Sequence, residues 1–256
     1  MILRRVTEHL KKQSWTAVAL DLAIVIVGVF IGTQVSNWNQ ERIEKRETAQ
    51  LLLELRPALQ YFADFFKAAE SYYATTRAYS DVAFAGWRGD PTVSDEQFVI
   101  AAYQASQIHV LNINGENWAG AFGGDRLRDV DNVEVRRALT DLMTFDYDNI
   151  DQPAIATPYR EQVRQVIPVD IQDAIRARCG DTPVHGSLLV LRLPATCDLD
   201  LPQRRFASAA VDLRAHRELI GELRWHRAAT ANFLTNLAIM DGKTRKLREA
   251  IEQSAE

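Results

Sequence analysis

No surplus of positive charge runs through this chain: Lys and Arg total 30 against 34 Asp and Glu, for a formal net charge of −4 over 256 residues. Nucleic-acid binders usually carry a basic face, so no nucleic-acid partner is expected. Cysteine is scarce, with two residues, no C-x-x-C pair and no Cys/His spacing of a zinc site. The five histidines, His9, His109, His185, His216 and His226, include no pair three or four apart and no HExxH, so they read as surface or core residues and no metal is expected. G-x-S-x-G, the P-loop and G-x-G-x-x-G are all missing. No catalytic residue and no cofactor follow from the pattern, and the chain does not read as an enzyme. An unrecognised enzyme, with acidic and His residues converging only in the fold, stays open as an alternative. Internal repeats and low-complexity tracts are lacking too. Long apolar runs are lacking with a single exception, which excludes a multi-span transporter.

The exception is Ala17–Val35, AVALDLAIVIVGVFIGTQV. Its 19 residues hold one charge, Asp21, with Thr33 and Gln34 as the other polar positions. As a helix it reaches about 28 Å, close to the hydrocarbon thickness of a bilayer at about 30 Å. Trp15 and Trp38 flank the run, roughly 35 Å apart along a helix, as interfacial aromatic anchors would be. A transmembrane helix over 15–38 is therefore expected. A cleaved signal peptide is the competing reading. No small-residue cleavage site follows the run, and a charged helical pattern continues from it.

Arg4, Arg5, Lys11 and Lys12 precede the span, whereas Arg42, Lys45 and Arg46 follow it mixed with Glu41, Glu44 and Glu47. Counting Lys and Arg puts residues 1–14 in the cytoplasm. Cys179 and Cys197 bracket CGDTPVHGSLLVLRLPATC. They read either as a disulfide, which would persist only in an oxidising compartment, or as two unrelated buried thiols. The first reading agrees with residues 39–256 lying outside the cytoplasm.

Asp21, the run Leu22–Gly32 and Asn37-Trp38-Asn39-Gln40-Glu41-Arg42 resemble the signature of a group of uncharacterised bacterial membrane proteins with one N-terminal span and a helical domain behind it. Asn117–Leu142, NWAGAFGGDRLRDVDNVEVRRALTDL, is similar to that group's Trp–small–Gly turn followed by a helix. Where the group commonly has Gly-Glu, this chain has Leu20-Asp21, which keeps the carboxylate and drops the glycine. The resemblance implies topology, a single-pass inner-membrane protein with a periplasmic domain, and no activity.

Within the span, Gly28-Val29-Phe30-Ile31-Gly32 is a GxxxG motif. Steps of four and seven extend its face from Ala17 through Asp21, Gly28 and Gly32 to Ser36. Missing side chains let two helices approach, so self-association or pairing with another membrane protein's span is one reading; ordinary glycine usage is the other. Asp21 lies about one turn inside the cytoplasmic end, either as a polar contact to a partner helix or as a tolerated interfacial acid. Trp38 and its neighbouring amides read as an anchor in membrane lipid.

The rest predicts an all-α fold, an antiparallel bundle built on long first and last helices. Leu51, Leu52, Leu55, Leu59, Phe62, Phe66, Ala69, Tyr73 and Tyr79 continue a helical pattern to residue 86, with Pro57 expected to kink or interrupt it. Ser94–Gln97 and Asp131–Glu134 have capping-box spacing, opening helices to about His109 and Asp148. Asn112–Gly115 reads as a turn and Glu116–Phe122 as a short helix, followed by Asp125 and Arg126 as a solvated cap that could line a cleft. Pro153, Pro158 and Pro168 divide the next stretch into short helices ending near Gly180. Ser187–Leu193 is the one expected strand or extended loop. Asp200-Leu201-Pro202 starts a helix with proline in its first turn. Leu213, Leu219, Leu223, Phe233, Leu237, Met240, Leu247 and Ile251 form the last apolar stripe, with Gly242 a break point. Arg214–Arg227 reads as a solvated helix face. A membrane-anchored interaction or sensory module fits these features, with a structural envelope scaffold as the alternative.

Overall fold

The computed structural model describes residues 15–110, 120, 123–184 and 187–254. Among them the chain is all-α apart from one small hairpin. Helix α1 spans Trp15–Trp87, α2 Asp95–Gln104, α3 Val133–Met143, α4 Pro158–Val166, α5 Val169–Cys179, α6 Gln203–Ala215 and α7 Glu218–Gln253. Short 3-10 turns cover Gly124–Leu127, Tyr147–Ile150 and Gln152–Ala154. Strands β1 (Thr182–Val184) and β2 (Ser187–Arg192) pair antiparallel, with Thr182 opposite Arg192 and Pro183 opposite Leu191. The expected turn at 112–115 and the side chains of His9, Trp15 and His185 lie outside the described residues. So does most of the expected helix at 116–122.

Helix α1 runs from the apolar segment into the core without interruption, with Pro57 inside it, so of the kink or interruption expected there the interruption does not occur. Pro57 and Leu53 are both exposed, and the Leu53 carbonyl that loses its donor lies on the side water can reach. Above it, Leu59, Phe65, Phe66, Ala69, Tyr72 and Tyr73 are buried. Helix α7 packs antiparallel to this stretch. Arg248 donates to Gln60 at 3.0 Å, the Tyr73 and Phe233 rings lie 5.6 Å apart, and Arg227 pairs with Asp81. Leu219, Leu223, Phe233, Leu237, Met240, Leu247 and Ile251 are all buried, as their heptad-like spacing predicts. Helix α7 passes Gly242 unbroken.

Helix α2 is the central element, with Phe98 through Gln104 buried. The capping box at Ser94 and Gln97 forms as expected. The helix stops at Gln104 rather than near His109, because the Ser106 hydroxyl takes the Tyr103 carbonyl at 2.7 Å and Arg160 takes the Ser106 carbonyl at 2.6 Å. Gly86 lies so close to Phe98 that a Cβ there would sit 2.2 Å from the ring, which fixes how α1 ends against α2.

Helix α3 is capped by Asn132, whose Oδ1 accepts from Glu134 N–H and Val135 N–H, not by Asp131. Asp131 pairs instead with Lys45 on α1 at 2.9 Å. This helix ends at Met143, short of Asp148, where the Tyr147 hydroxyl donates to the Leu142 carbonyl at 2.9 Å. The prolines act as expected: Pro158 opens α4, and Pro168 separates it from α5, which Gly180 ends. Pro202 sits at the N-cap of α6, one position before the first turn.

Candidate functional site

Two regions carry candidate chemistry: the free end of α1, and the polar groups within and beneath the bundle. In the first, Val18–Val35 stands clear of the domain. It is long and apolar enough to cross a membrane, and none of its most apolar window is buried. Leu20, Leu22, Ile24, Val25, Ile26, Val29, Phe30 and Ile31 are all exposed. Asp21, Gly28, Gly32 and Ser36 share one face of this helix through steps of seven, four and four. A Cβ built on Gly28 or Gly32 would meet nothing within 4 Å. The Thr33 hydroxyl donates back to the Phe30 carbonyl at 2.8 Å, so this polar side chain is satisfied within its own helix. Trp38 is exposed, and the Arg42 guanidinium lies 5.1 Å from its ring centre, one turn on.

Thr48 is the first buried residue along α1 among those whose side chains are described. Beside it a cleft of about 520 Å³ opens, lined among the described residues by Glu44, Glu47, Gln50, Leu51, Glu54, Arg126 and Asp129. Arg126, read as a solvated cap that could line a cleft, is exposed and lines this one; the Asp125 side chain lies outside the described residues. The Lys45–Asp131 pair ties the segment before α3 to the same stretch of α1. The cleft is open, and among the described residues its charged lining is acidic apart from Arg126.

Inside the bundle, His226 is 2% exposed and its Nδ1 lies 2.7 Å from the Thr157 hydroxyl. Thr157 occupies the N-cap of α4 but makes no capping bond, since its hydroxyl is turned to the imidazole. The Ala105 backbone also hydrogen-bonds the ring, so the imidazole is held by both Thr157 and α2's end. Burial, with Arg160 nearby, lowers the His226 pKa to about 4. By distance this is a hydroxyl–imidazole pair of the kind that activates a nucleophile. The adjoining cavity, about 20 Å³, holds no more than one or two waters and leaves a substrate no access.

A second polar cluster lies under the cysteine pair. Cys179 and Cys197 form a disulfide, with their Cα atoms 5.6 Å apart. The Cys179 carbonyl accepts from Gln104, and Gln107 connects Gln104 to Arg164. Tyr72 donates to Asp181 at 2.9 Å, and Tyr73 to the His109 carbonyl at 2.8 Å. Burial raises the pKa of both phenols and of the Asp181 carboxyl, and lowers that of Arg160. These groups bond one another across α1, α2, α4 and the α5–β1 turn, which makes the cluster a device for fixing the fold.

Arg214–Arg227 departs from the solvated face expected of it. The chain turns between α6 and α7 at His216 and Arg217. Arg214 bonds the Gly86 carbonyl and Asp95 and lies 5.1 Å from the Phe98 ring, while Arg227 covers Phe84. Among the described residues, no group of three or more His, Cys, Asp or Glu could hold a metal ion. Sequence reasoning missed Thr157–His226, Tyr72–Asp181 and Gln104–Cys179, which join residues 69, 109 and 75 positions apart and leave no local signal.

No family model, no curated protein and no solved structure matches this chain.

Proposed function

We propose that this protein is a single-pass membrane protein whose helical domain, outside the cytoplasm, acts as an interaction or sensory module. The observation that carries this reading is the continuity of α1. One helix holds an exposed apolar segment at its start and the core of the bundle at its end. Exposing so many large aliphatic side chains to water is unfavourable, and a bilayer removes the cost. In this reading Trp15 and Trp38 mark the two interfaces, and Asp21 sits near the cytoplasmic one.

The excess of Lys and Arg before the segment supports a cytoplasmic N-terminus, and the Cys179–Cys197 disulfide supports an oxidising compartment for the domain. The resemblance to bacterial single-span proteins supports the inner membrane and periplasm. A module is favoured over an enzyme because Thr157–His226, the one hydroxyl–imidazole hydrogen bond among the described residues, is sealed from solvent.

Membrane fractionation combined with a compartment-sensitive reporter fused after Glu256 tests the topology. Recovery in the membrane with the reporter active only outside the cytoplasm is expected. A soluble protein, or a reporter active inside, overturns the reading. Co-purification from solubilised membranes then asks for the partner.

A further inference from the structure

Helix α7 carries charge at both ends and none between: Ala228–Met240, AATANFLTNLAIM, is free of charged residues on every face. One face of this stretch is core, formed by Thr230, Phe233, Leu237 and Met240. The opposite face is open. Trp225, Ala228, Asn232, Thr235 and Ile239 recur at steps of three and four and are all exposed, Trp225 by 61% and Ile239 by 48%. At the same height on α1 the exposed positions include Asp64, Lys67, Glu70, Arg77 and Asp81. Charge thus recurs along the exposed side of α1 at this height and is missing from the outer face of α7.

We propose that two copies of this chain meet along the outer face of α7, parallel and in register, with Asn232 at the centre of the contact. The proposal rests on the reading that α1 anchors each copy in the same membrane. Two anchored copies related by a two-fold axis normal to that membrane have parallel α7 helices, and each residue near the axis then faces its own counterpart. Any charge there would face a like charge. A face uncharged for nearly four turns meets its own copy without like-charge repulsion, whereas a face selected for a charged partner would carry the complementary charge. Asn232 facing Asn232 can form a reciprocal amide pair, which favours one register over a slipped one. Trp225 and Ile239 supply the apolar burial on either side.

The size of the face also fits a tethered self-contact. From Trp225 to Ile239 is about 21 Å, and at a width of about 10 Å two such faces cover roughly 400 Å², well under the ~1,200 Å² of a stable free interface. Such a contact forms only when something else holds the copies together. Anchoring in one bilayer does so by raising the effective concentration.

The test uses the full-length protein in membranes, with Asn232→Cys or Ile239→Cys, mild oxidation and non-reducing gels. Val211→Cys on α6, an exposed position remote in sequence, is the control. Both α7 variants should give a dimer band about tenfold or more above the control, and adding Thr235→Lys to either should remove it. A band from Asn232→Cys without one from Ile239→Cys overturns the parallel register, because Asn232 is also the midpoint of an antiparallel pairing. A band at the mass of a different protein overturns the second copy as occupant. All three variants sit at exposed positions, and circular dichroism checks that they fold. Fractionation of the same samples separates the two levels of failure. Protein in the membrane without a dimer band overturns this proposal alone; protein in the soluble fraction overturns the anchored reading and this one with it.

Discussion

Acidification from pH 6.5 to pH 4 should cost the folded domain about 3 kcal/mol through a single imidazole, that of His226. The ring is 2% exposed on α7, bonded by the Thr157 hydroxyl and by the Ala105 backbone. Burial first, and then the Arg160 guanidinium, hold its pKa at about 4 against an ordinary 6.5. The unfolded chain therefore binds a proton below pH 6.5 that the folded chain refuses until about pH 4. The contribution of this neutral histidine is complete above pH 6.5 and is lost as the pH falls between the two values. At about 1.4 kcal/mol per pH unit over about 2.5 units, the loss is about 3 kcal/mol. Asp181 works in the opposite sense, since burial raises its pKa and acidification favours its folded form. The informative quantity is therefore the difference between wild type and His226→Gln, not the wild-type slope. Urea unfolding of the purified full chain at pH 7, 6, 5 and 4 should show the wild-type advantage shrinking by about 3 kcal/mol, and the His226 ring proton should titrate near pH 4. A ring midpoint near 6.5, or a wild-type advantage constant over that range, would refute the reasoning.

Further outcomes are expected from the same structure. Replacing Cys179 and Cys197 together by Ala should lower stability by about 3 kcal/mol in urea unfolding, and reduction of the native chain should shift its mobility on a denaturing gel. Asn132→Ala should cost about 1 kcal/mol because it removes the cap of α3, whereas Asp131→Ala should cost clearly less because its pair with Lys45 is exposed; denaturation curves of the two variants decide the order. Gly28→Ile combined with Gly32→Ile should reduce self-association in a membrane dimerisation assay, and an unchanged signal removes that face as a contact. Phe233→Ala should cost about 3–5 kcal/mol by opening a cavity against Tyr73, measured by the same unfolding method.

Periodicity is local information, and it carried the long elements. The stripe from Leu219 to Ile251 is buried where its spacing placed it, and so is the pattern from Leu59 to Tyr79 except Phe62, which is half-buried. Capping at Ser94 was legible because both partners lie within one turn. Helix ends were not, because tertiary partners set them. Arg160 holds the end of α2 from 54 residues away, and Asp131 left its capping role for Lys45 on α1. Strand β1 was missed because Thr182–Val184 is short and exposed, and it acquires its conformation only by pairing with β2. In the apolar segment of α1, the positions of Asp21, Gly28, Gly32 and Ser36 follow from helical spacing alone. Thr157 looked like no more than the residue before Pro158, and its bond to His226 depends on how α4 meets α7.

The pairing of first helix with last has a consequence for biogenesis. Phe65, Phe66, Tyr72 and Tyr73 are synthesised well before α7, which covers part of their surface; Asp81 waits for Arg227, 146 residues on, and Gln60 for Arg248, 188 residues on. Closing such long loops slows folding, and the uncovered side of α1 stays sticky while it waits. The chain is thus most prone to aggregate before α7 is made. A ribosome stalled within α6 would leave a protein with an apolar start, most of its core residues and nothing to close them.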